Sequence, residues 1–510
     1  MEKQFILAID QGTTGSTVLV VDVTDPKMTK ITGRKTTDFE QHYPKTGWVE
    51  HDLEDIWSSV ESSAIGAMKQ AADSGFSKDK IIAIGITNQR ETLCVFDRKT
   101  SKPVRKAIVW QCKRSADICT RLKKDGVEEL FKKKTGLVLD PYFSGTKITW
   151  IMENDQSSAD AIKSGKAVMG TIDTYLMHRL SAGEAFVTEA SNASRTLAFN
   201  IETGCWDDEL LKLLKIPSKE VLPEVKPSAG VFGKTKGLGF LPDGIPISGA
   251  LGDQQAALAG QACFSAGESK CTYGTGAFFL LNTGSELMRS KHGLLTTVAW
   301  SLDGKLTYCF EGASFVAGAA VQFLRDQLGM IASAPETEEI AASVEAAPEV
   351  YFVPALAGLG APYWDAAAQG AFLGLTRGTT KEQMVRAVLE GMIFQVGDLA
   401  EAMGQDLGKP ISILKVDGGA SANDLAMQIQ ADYSDIPVDR PQNLETTAYG
   451  AAMFAGLGVG LYSGLEELGN VRKTERVFKA TPDAKGVEKR KKWQEGWQRA
   501  IKAVRLFADS

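Results

Sequence analysis

The sequence is poor in side chains that bind metals, with only four histidines in 510 residues. His42, His51, His178 and His292 do not stand at the short intervals that zinc ligands require, so a zinc site is not expected. The seven cysteines are scattered and include no Cys-x-x-Cys pair. An odd, scattered set of this kind predicts reduced, buried thiols and a cytoplasmic protein.

Long apolar segments are also scarce. The apolar run Phe5–Ile9 is too short for a signal peptide. Residues 446–465 carry no charge over the length of a membrane span, but they include five glycines and have acidic neighbours on both sides. A buried helix rich in small residues, packed closely on a sheet, is the better interpretation, and no membrane insertion is expected.

Basic charge is not in excess, since 57 Lys and Arg face 63 Asp and Glu for a net charge of −6. This balance argues against a general nucleic-acid binder, which needs cations to displace counterions from phosphates. The run Lys489–Lys492 is locally basic, but it continues into apolar residues at helical spacing. That pattern predicts a helix docked by an apolar stripe. The stripe comprises Trp493, Trp497, Ala500, Ile501, Val504 and Phe507.

Glycine, in contrast, is abundant, with 50 residues, and a 44% hydrophobic share indicates a folded globular chain. The length predicts two to four domains. A strand, a glycine-threonine turn and a second strand occur twice, near 5–22 and near 268–283. This repeat predicts an α/β protein with two related halves facing a cleft, divided into residues 1–258 and 259–510.

Further elements are predicted from periodicity. Residues 81–87 and 411–416 have the β-branched character of strands, and residues 52–72 have helical spacing. Residues 201–245 are rich in Lys, Pro and Gly and are interpreted as surface loops.

Three glycine turns follow apolar strands: Gly12–Thr14, Gly274–Gly276 and Gly418–Gly419. Backbone amides in such turns can hold phosphate oxygens, although a plain hairpin turn needs the same glycine. Three turns in one chain, two of them beside Asp10 and Asp253, favour phosphate binding. Two other phosphate-binding motifs are not complete in this sequence. Ser228 stands where a P-loop would need its first glycine. The dinucleotide-binding motif is missing because no Gly-x-Gly-x-x-Gly follows the first strand.

Asp10 and Asp253 suit phosphoryl transfer, which uses one group to hold Mg²⁺ and another to take the proton of an attacking hydroxyl. Asp253 could equally cap a helix that begins at Gln254, and the sequence leaves both interpretations open. Arg90 and Glu91 could recognise a polyhydroxy compound or form a surface ion pair.

Aromatic residues offer walls for the carbon chain of such a compound, although core packing is the commoner role of an aromatic residue. The candidates are Trp110, Tyr142 and Phe278.

Taken together, these segments resemble the glycerol kinases of the sugar-kinase family, within the actin-like ATPase superfamily. The resemblance covers nearly the whole chain. Its motifs are Asp10–Thr14, Gly47–Asp52, Gly85–Thr92, Val109–Cys112, Asp140–Thr146, Asn192–Thr196, Gly252–Gln255, Thr272–Gly276, Gly358–Asp365 and Val416–Gly419.

The resemblance implies two ribonuclease H-like domains around a central cleft and the transfer of a phosphoryl group from Mg-ATP to glycerol. It assigns the general base to Asp253 and the magnesium site to Asp10. The implied glycerol ligands are Arg90, Glu91, Trp110, Tyr142, Asp253, Gln254 and Phe278. The implied nucleotide ligands are Thr13, Thr14, Gly15, Thr275, Gly318, Gln322, Gly419 and Asn423. A homodimer or homotetramer is also implied.

The sequence departs from the family pattern in regions tied to phosphate binding and regulation. Thr17 stands where many members have an arginine, and Leu241–Gly244 lacks the arginine of a fructose bisphosphate loop. No histidine lies in 228–233, so control by the sugar phosphotransferase system is not expected.

Two alternatives remain at this stage. One is a kinase for another small polyol or a ketose, and the other is an actin-like ATP-dependent switch or filament protein. The switch gives Arg90, Glu91 and Trp110 no task.

Overall fold

The structure, a computed structural model, describes residues 2–344 and 349–508. The first half of the chain contains fourteen described strands. They are β1 Phe5–Gln11, β2 Gly15–Asp22, β3 Lys30–Asp38, β4 Glu50–His51, β5 Ile81–Asn88, β6 Cys94–Asp97, β7 Ala107–Ile108, β8 Ala167–Gly170, β9 Val187–Glu189, β10 Phe199–Asn200, β11 Cys205–Trp206, β12 Glu224–Lys226, β13 Ala229–Lys234 and β14 Pro246–Gly252.

The same half contains nine described α-helices. They are α1 Leu53–Gln70, α2 Ala116–Lys124, α3 Glu128–Thr135, α4 Ser144–Asn154, α5 Gln156–Lys163, α6 Ile172–Leu180, α7 Ala190–Ala193, α8 Asp208–Leu213 and α9 Asp253–Gly260. Short 3-10 helices cover Ala71–Ser74, Lys78–Lys80 and Lys219–Val221.

The first large sheet has the strand order β13-β14-β5-β1-β2-β3. β1 pairs antiparallel with β2 and parallel with β5, and β5 pairs parallel with β14. Phe5–Ile9 is buried throughout because both faces of β1 are covered. Phe5, Leu7 and Ile9 pack with α1, whereas Ile6 and Ala8 face a helix of the second half.

The second half supplies nine described strands and seven described α-helices. The strands are β15 Ser269–Tyr273, β16 Ala277–Gly284, β17 Leu295–Leu302, β18 Lys305–Ser314, β19 Tyr351–Val353, β20 Ala371–Leu373, β21 Leu414–Asp417, β22 Val438–Pro441 and β23 Thr474–Phe478. The helices are α10 Gly318–Asp326, α11 Glu336–Ala342, α12 Lys381–Leu407, α13 Asp424–Ser434, α14 Thr446–Gly458, α15 Leu465–Gly469 and α16 Ala484–Ala508, with a 3-10 helix at Gly419–Ala422.

The second large sheet repeats the pattern of the first, with the order β17-β18-β16-β15-β21-β22-β23. Its hairpin β15–β16 corresponds to β1–β2, and β21 pairs parallel with β15 as β5 does with β1. The turns match as well, since Gly12 donates to Gly15 and Gly274 donates to Gly276, each at 2.9 Å. The two related α/β halves predicted from the repeated strand–turn–strand pattern are therefore present.

Helices α9 and α14 cross between the two sheets at very short range. A Cβ on Gly450 would lie 1.9 Å from the carbonyl oxygen of Ala256, and one on Gly260 would lie 2.0 Å from that of Thr446. The predicted small-residue helix is thus confirmed at Thr446–Gly458, packed on the first sheet. No helix in the described part of the chain is long and apolar enough to cross a membrane.

The predicted C-terminal helix is confirmed as α16, and its stripe buries Trp493, Trp497, Ala500, Ile501 and Val504. Phe507 was wrongly included, since it is 68% exposed near the end of the chain. All seven cysteines are free thiols and six are buried, but Cys205 is exposed.

The prediction of surface loops for residues 201–245 was wrong in part. This segment contains the short elements β11, α8, β12 and β13. β13 forms the edge of the first large sheet, beside β14. Its glycines and lysines hid the strand, because an edge strand buries few of its side chains.

Candidate active site

The first glycine turn is shaped by close backbone packing. A Cβ on Gly15 would lie 2.7 Å from Asp38 Oδ1 and 3.0 Å from the carbonyl oxygen of Thr37. Glycine is needed at this position because β3 passes directly beside the turn. Thr13 accepts a hydrogen bond at 2.9 Å from Trp110 Nε1, which ties the turn to the predicted acceptor wall.

A cavity of about 360 Å³ opens beside the second glycine turn, in the second half. Five of the eight predicted nucleotide residues line it: Thr275, Gly318, Gln322, Gly419 and Asn423. The predicted residues Thr13, Thr14 and Gly15 lie on the first turn and do not line this cavity. Sequence reasoning missed the apolar wall of Val321, Leu389 and Met392 and the polar side chains of Arg325, Thr337 and Glu338.

Backbone hydrogen bonds fix the floor of this cavity. The N–H groups of Gly318 and Ala319 donate to the carbonyl oxygens of Gly274 and Thr275 at 2.9 and 3.1 Å, which sets α10 against the turn. Asn423 Oδ1 accepts from the backbone of α13 at 2.9 Å. The cavity has the size and the mixed lining of a small-molecule site.

Arg90 stands at the centre of a buried cluster of charges. Its Nη1 and Nη2 donate to the two carboxylate oxygens of Glu311 at 2.6 and 2.9 Å. Its Nε lies 3.1 Å from Asp253 Oδ1 and 3.7 Å from Glu91 Oε1. Arg195 completes the cluster, because its Nε and Nη2 contact Glu91 and Glu311 at 2.6 and 2.9 Å.

Local backbone geometry places this cluster at the end of β5. Glu91 has a φ of 60°, a left-handed conformation that costs energy for a side chain other than glycine and is often found at functional sites. Gly252 is the counterpart on β14, since a Cβ there would lie 2.6 Å from Arg90 Cδ. Glycine at this position therefore leaves room for the Arg90 side chain at the end of β14.

Asp253 is the first residue of α9, and the residue before the helix is Gly252. Its carboxylate therefore does not cap the helix from the preceding position, although Oδ1 accepts from Gln254 N at 2.7 Å. Desolvation raises the pKa of Asp253, and Arg90 opposes this rise. Its side chain remains 30% exposed and is accessible to a ligand.

Asp10 lies near Asp253 and repels it electrostatically. Burial, together with Asp253 and Glu445, raises the pKa of Asp10 to about 8. No three histidine, cysteine, aspartate or glutamate side chains in the described residues form a metal site on their own. Magnesium is usually held by one or two carboxylates plus substrate phosphates, so Asp10 fits such an ion.

The predicted aromatic wall is partly assembled. Trp110 and Tyr142 meet edge to face with ring centroids 5.6 Å apart, and Tyr142 Oη accepts from Arg90 Nη2 at 3.4 Å. Phe278 pairs with Ala313 in register, two residues from the pair of Leu280 with Glu311. Since strand residues alternate between faces, Phe278 and Glu311 lie on one face of the second sheet.

Gln254 is held by a buried lysine. Lys270 Nζ donates to Gln254 Oε1 at 2.6 Å and to Thr272 Oγ1 at 2.9 Å. Burial lowers the pKa of Lys270, and the nearby carboxylates of Asp417 and Asp253 oppose that change. The bond to Oε1 fixes which end of the Gln254 amide is free to face a ligand.

Sequence reasoning gave no role to Arg195, Glu311 or Lys270. Each is completely buried. A charged residue inside an apolar strand, as in Phe310-Glu311-Gly312, was the available signal, because such residues are almost never buried unless paired. Their partners could not be read from the sequence.

Comparison with known proteins decides the family. The N-terminal domain of the FGGY family of carbohydrate kinases matches residues 5–260, and its C-terminal domain matches residues 269–459. The chain belongs to the FGGY family of carbohydrate kinases. The resemblance seen in the sequence motifs is therefore confirmed.

Members of this family that resemble the chain include glycerol kinases from bacteria. The glycerol kinase of Bdellovibrio bacteriovorus is 50% identical over 505 residues, covering 98% of this chain and 99% of its own. That of Myxococcus xanthus is 51% identical over 504 residues, with the same coverage.

A solved structure of Plasmodium falciparum glycerol kinase with ADP superposes with a TM-score of 0.89. It is 35% identical, and the match covers 98% of each chain. This likeness confirms the predicted fold class, an α/β protein of two related actin-like ATPase domains.

Proposed function

We propose that this kinase transfers the γ-phosphoryl group of ATP to glycerol, giving sn-glycerol 3-phosphate and ADP. The observation that supports this most directly is the buried Arg90–Glu91 pair beside the accessible carboxylate of Asp253. The full-length likeness to glycerol kinases supports glycerol as the acceptor.

The acceptor site would bind glycerol through complementary polar groups and an apolar wall. A hydroxyl group both donates and accepts, so guanidinium donors and carboxylate acceptors together satisfy it. Arg90, Glu91 and Tyr142 supply these groups, while Trp110 and Phe278 would cover the carbon chain. In this assignment residues 1–258 bind chiefly glycerol and residues 259–510 chiefly the nucleotide.

Asp253 would act as the general base. It takes the proton of the attacking hydroxyl as that oxygen forms a bond to the γ-phosphorus, and the bond from this phosphorus to the β–γ bridging oxygen breaks in line. ADP leaves with the bridging electrons. Desolvation raises the pKa of Asp253, which makes its carboxylate a stronger base than an ordinary aspartate.

Asp10 would hold Mg²⁺, which when bound neutralises charge on the phosphate oxygens. Thr13, Thr14 and Gly15 would contact the nucleotide from the first turn. The cavity residues would hold it from the second half: Thr275, Gly318, Gln322, Gly419 and Asn423. A cytoplasmic location and a dimeric or tetrameric assembly belong to the same proposal.

The test is ADP release by the purified protein with Mg-ATP and glycerol, beside the variant Asp253→Asn. The variant should lose turnover by about 100-fold or more, because the hydroxyl loses its base, while glycerol binding measured by calorimetry is largely retained. Asp208→Asn, at a side chain that is 83% exposed, is the matched control and should keep the wild-type rate.

Two other outcomes would redirect the assignment. A panel of polyols and ketoses in which another compound surpasses glycerol in kcat/KM would point to a different acceptor. Slow ATP hydrolysis that glycerol leaves unchanged would instead indicate an actin-like switch.

A further inference from the structure

Glu311 joins the acceptor site from the opposite half of the molecule. It lies on β18 of the second large sheet, whereas Arg90 follows β5 and Arg195 follows α7 in the first half. Its carboxylate is fully buried and spans both guanidinium groups, with contacts of 2.6 and 2.9 Å to Arg90 and 2.9 Å to Arg195. It lies outside the sequence motifs that resemble those of glycerol kinases.

These contacts decide which edge of Arg90 faces the acceptor. Glu311 occupies both terminal nitrogens of the guanidinium in a two-point contact, and such paired bonds fix the plane of the group. The Nε edge is thereby left to face Asp253 at 3.1 Å and Glu91 at 3.7 Å. The same two nitrogens also donate to Gln255 Oε1 at 3.2 Å and to Tyr142 Oη at 3.4 Å, but these neutral contacts are longer than those to Glu311.

The pairing of the buried charges indicates the same role for Glu311. Two buried arginines face Glu91, Glu311 and the partly exposed Asp253, and buried ions persist when they are paired. The two arginines hold the pKa of Glu311 down to about 2, so it stays ionised across the working pH range. Removing its charge leaves Nη1 and Nη2 of Arg90 without the carboxylate that pairs with them.

We propose that Glu311 is a positioning residue that aligns Arg90 for the acceptor hydroxyl, so that the acceptor site is complete only when both halves are in place. This inference rests on the proposed glycerol kinase activity. It assigns Glu311 no contact with glycerol, since all of its described hydrogen bonds to side chains go to the two arginines.

The test compares Glu311→Gln with Glu390→Gln. Glu390 forms a buried ion pair with Arg386 at 2.8 Å within α12, a pair that includes no residue of the acceptor cluster, and it is the matched control for losing a buried charge. Glu311→Gln should lower kcat/KM for glycerol by roughly 30-fold or more, through a raised glycerol KM and a lower kcat. Its KM for ATP, measured at saturating glycerol, and its glycerol-independent ATP hydrolysis should stay within about twofold of wild type.

The control should lose stability but keep the glycerol KM. Should Glu311→Gln not fold, Glu311→Asp, which keeps the charge but cannot reach both arginines equally, should show the same selective rise in the glycerol KM. A wild-type glycerol KM in a folded Glu311 variant, or an equal rise in the KM for ATP, overturns the proposal. Absence of glycerol phosphorylation by the wild type would instead overturn the proposed function.

Discussion

The carboxyl group of Asp398 lies buried between α12 and α16, where three neutral groups donate hydrogen bonds to it. Trp497 Nε1 donates at 2.7 Å, Tyr363 Oη at 2.8 Å and Gln498 Nε2 at 3.3 Å. Burial raises the pKa of Asp398 to about 7. The folded chain therefore keeps a proton that the unfolded chain has released, and stability falls as pH rises from about 4 to about 7.

Asp398→Asn should remove this dependence. The free energy of unfolding is measured in urea at pH 5 and pH 7.5. At the higher pH the variant should be about 3 kcal/mol more stable than wild type, because the penalty of a buried charge is gone. Asp208→Asn should show no such change. The same difference between Asp398→Asn and wild type at both pH values would contradict the raised pKa.

At the scale of single residues, the sequence identified candidate functional side chains but not the residues that contact them. Arg90 and Glu91 were recognised as candidates because they are adjacent residues of opposite charge at the end of a predicted strand. Arg195 lay in a recognised motif without a role, and Glu311 stood in a strand far along the chain. Their contacts depend on how two sheets face each other, which local sequence patterns do not encode.

At the scale of elements, the crossing of α9 and α14 depends on glycine. A methyl group at Gly450 would lie 1.9 Å from a backbone oxygen, so the helices would have to separate. Gly450→Ala should lower the free energy of unfolding, measured in urea, by about 2 kcal/mol or more, although alanine has the better helix propensity.

Gly404 in α12 provides the comparison for this prediction. A Cβ there meets its nearest neighbour at 3.5 Å, an ordinary contact. Gly404→Ala should therefore be neutral or stabilising by up to about 1 kcal/mol. Equal effects of the two substitutions would mean that helix propensity, and not the close crossing, governs both sites.

Periodicity was informative for buried elements and weak for edge elements. The strands at 81–87 and 411–416 were found because their β-branched residues are buried, with observed bounds Ile81–Asn88 and Leu414–Asp417. The helix predicted for 52–72 is α1, which Asp52 caps by accepting from Glu54 N at 2.9 Å. β13 and the short elements near it were missed, because exposed residues carry little periodic signal.

At the scale of the whole molecule, the repeated hairpin was enough to predict two related halves. It could not show that each half contributes to the site of the other. α14 of the second half covers the first sheet, and Glu311 of the second sheet contacts Arg90 and Arg195 of the first half. The sequence division at residues 258 and 259 stays a prediction about domains.

This shared construction predicts that the two substrates bind cooperatively. The nucleotide cavity lies in the second half, which also supplies Glu311, the partner of Arg90 beside the proposed glycerol site. A nonhydrolysable ATP analogue with Mg²⁺ should therefore bind about fivefold or more tightly in the presence of glycerol, and glycerol should gain the same factor from the analogue. Titration calorimetry of each ligand with and without the other measures both factors. Independent affinities would mean that the two halves hold their substrates separately.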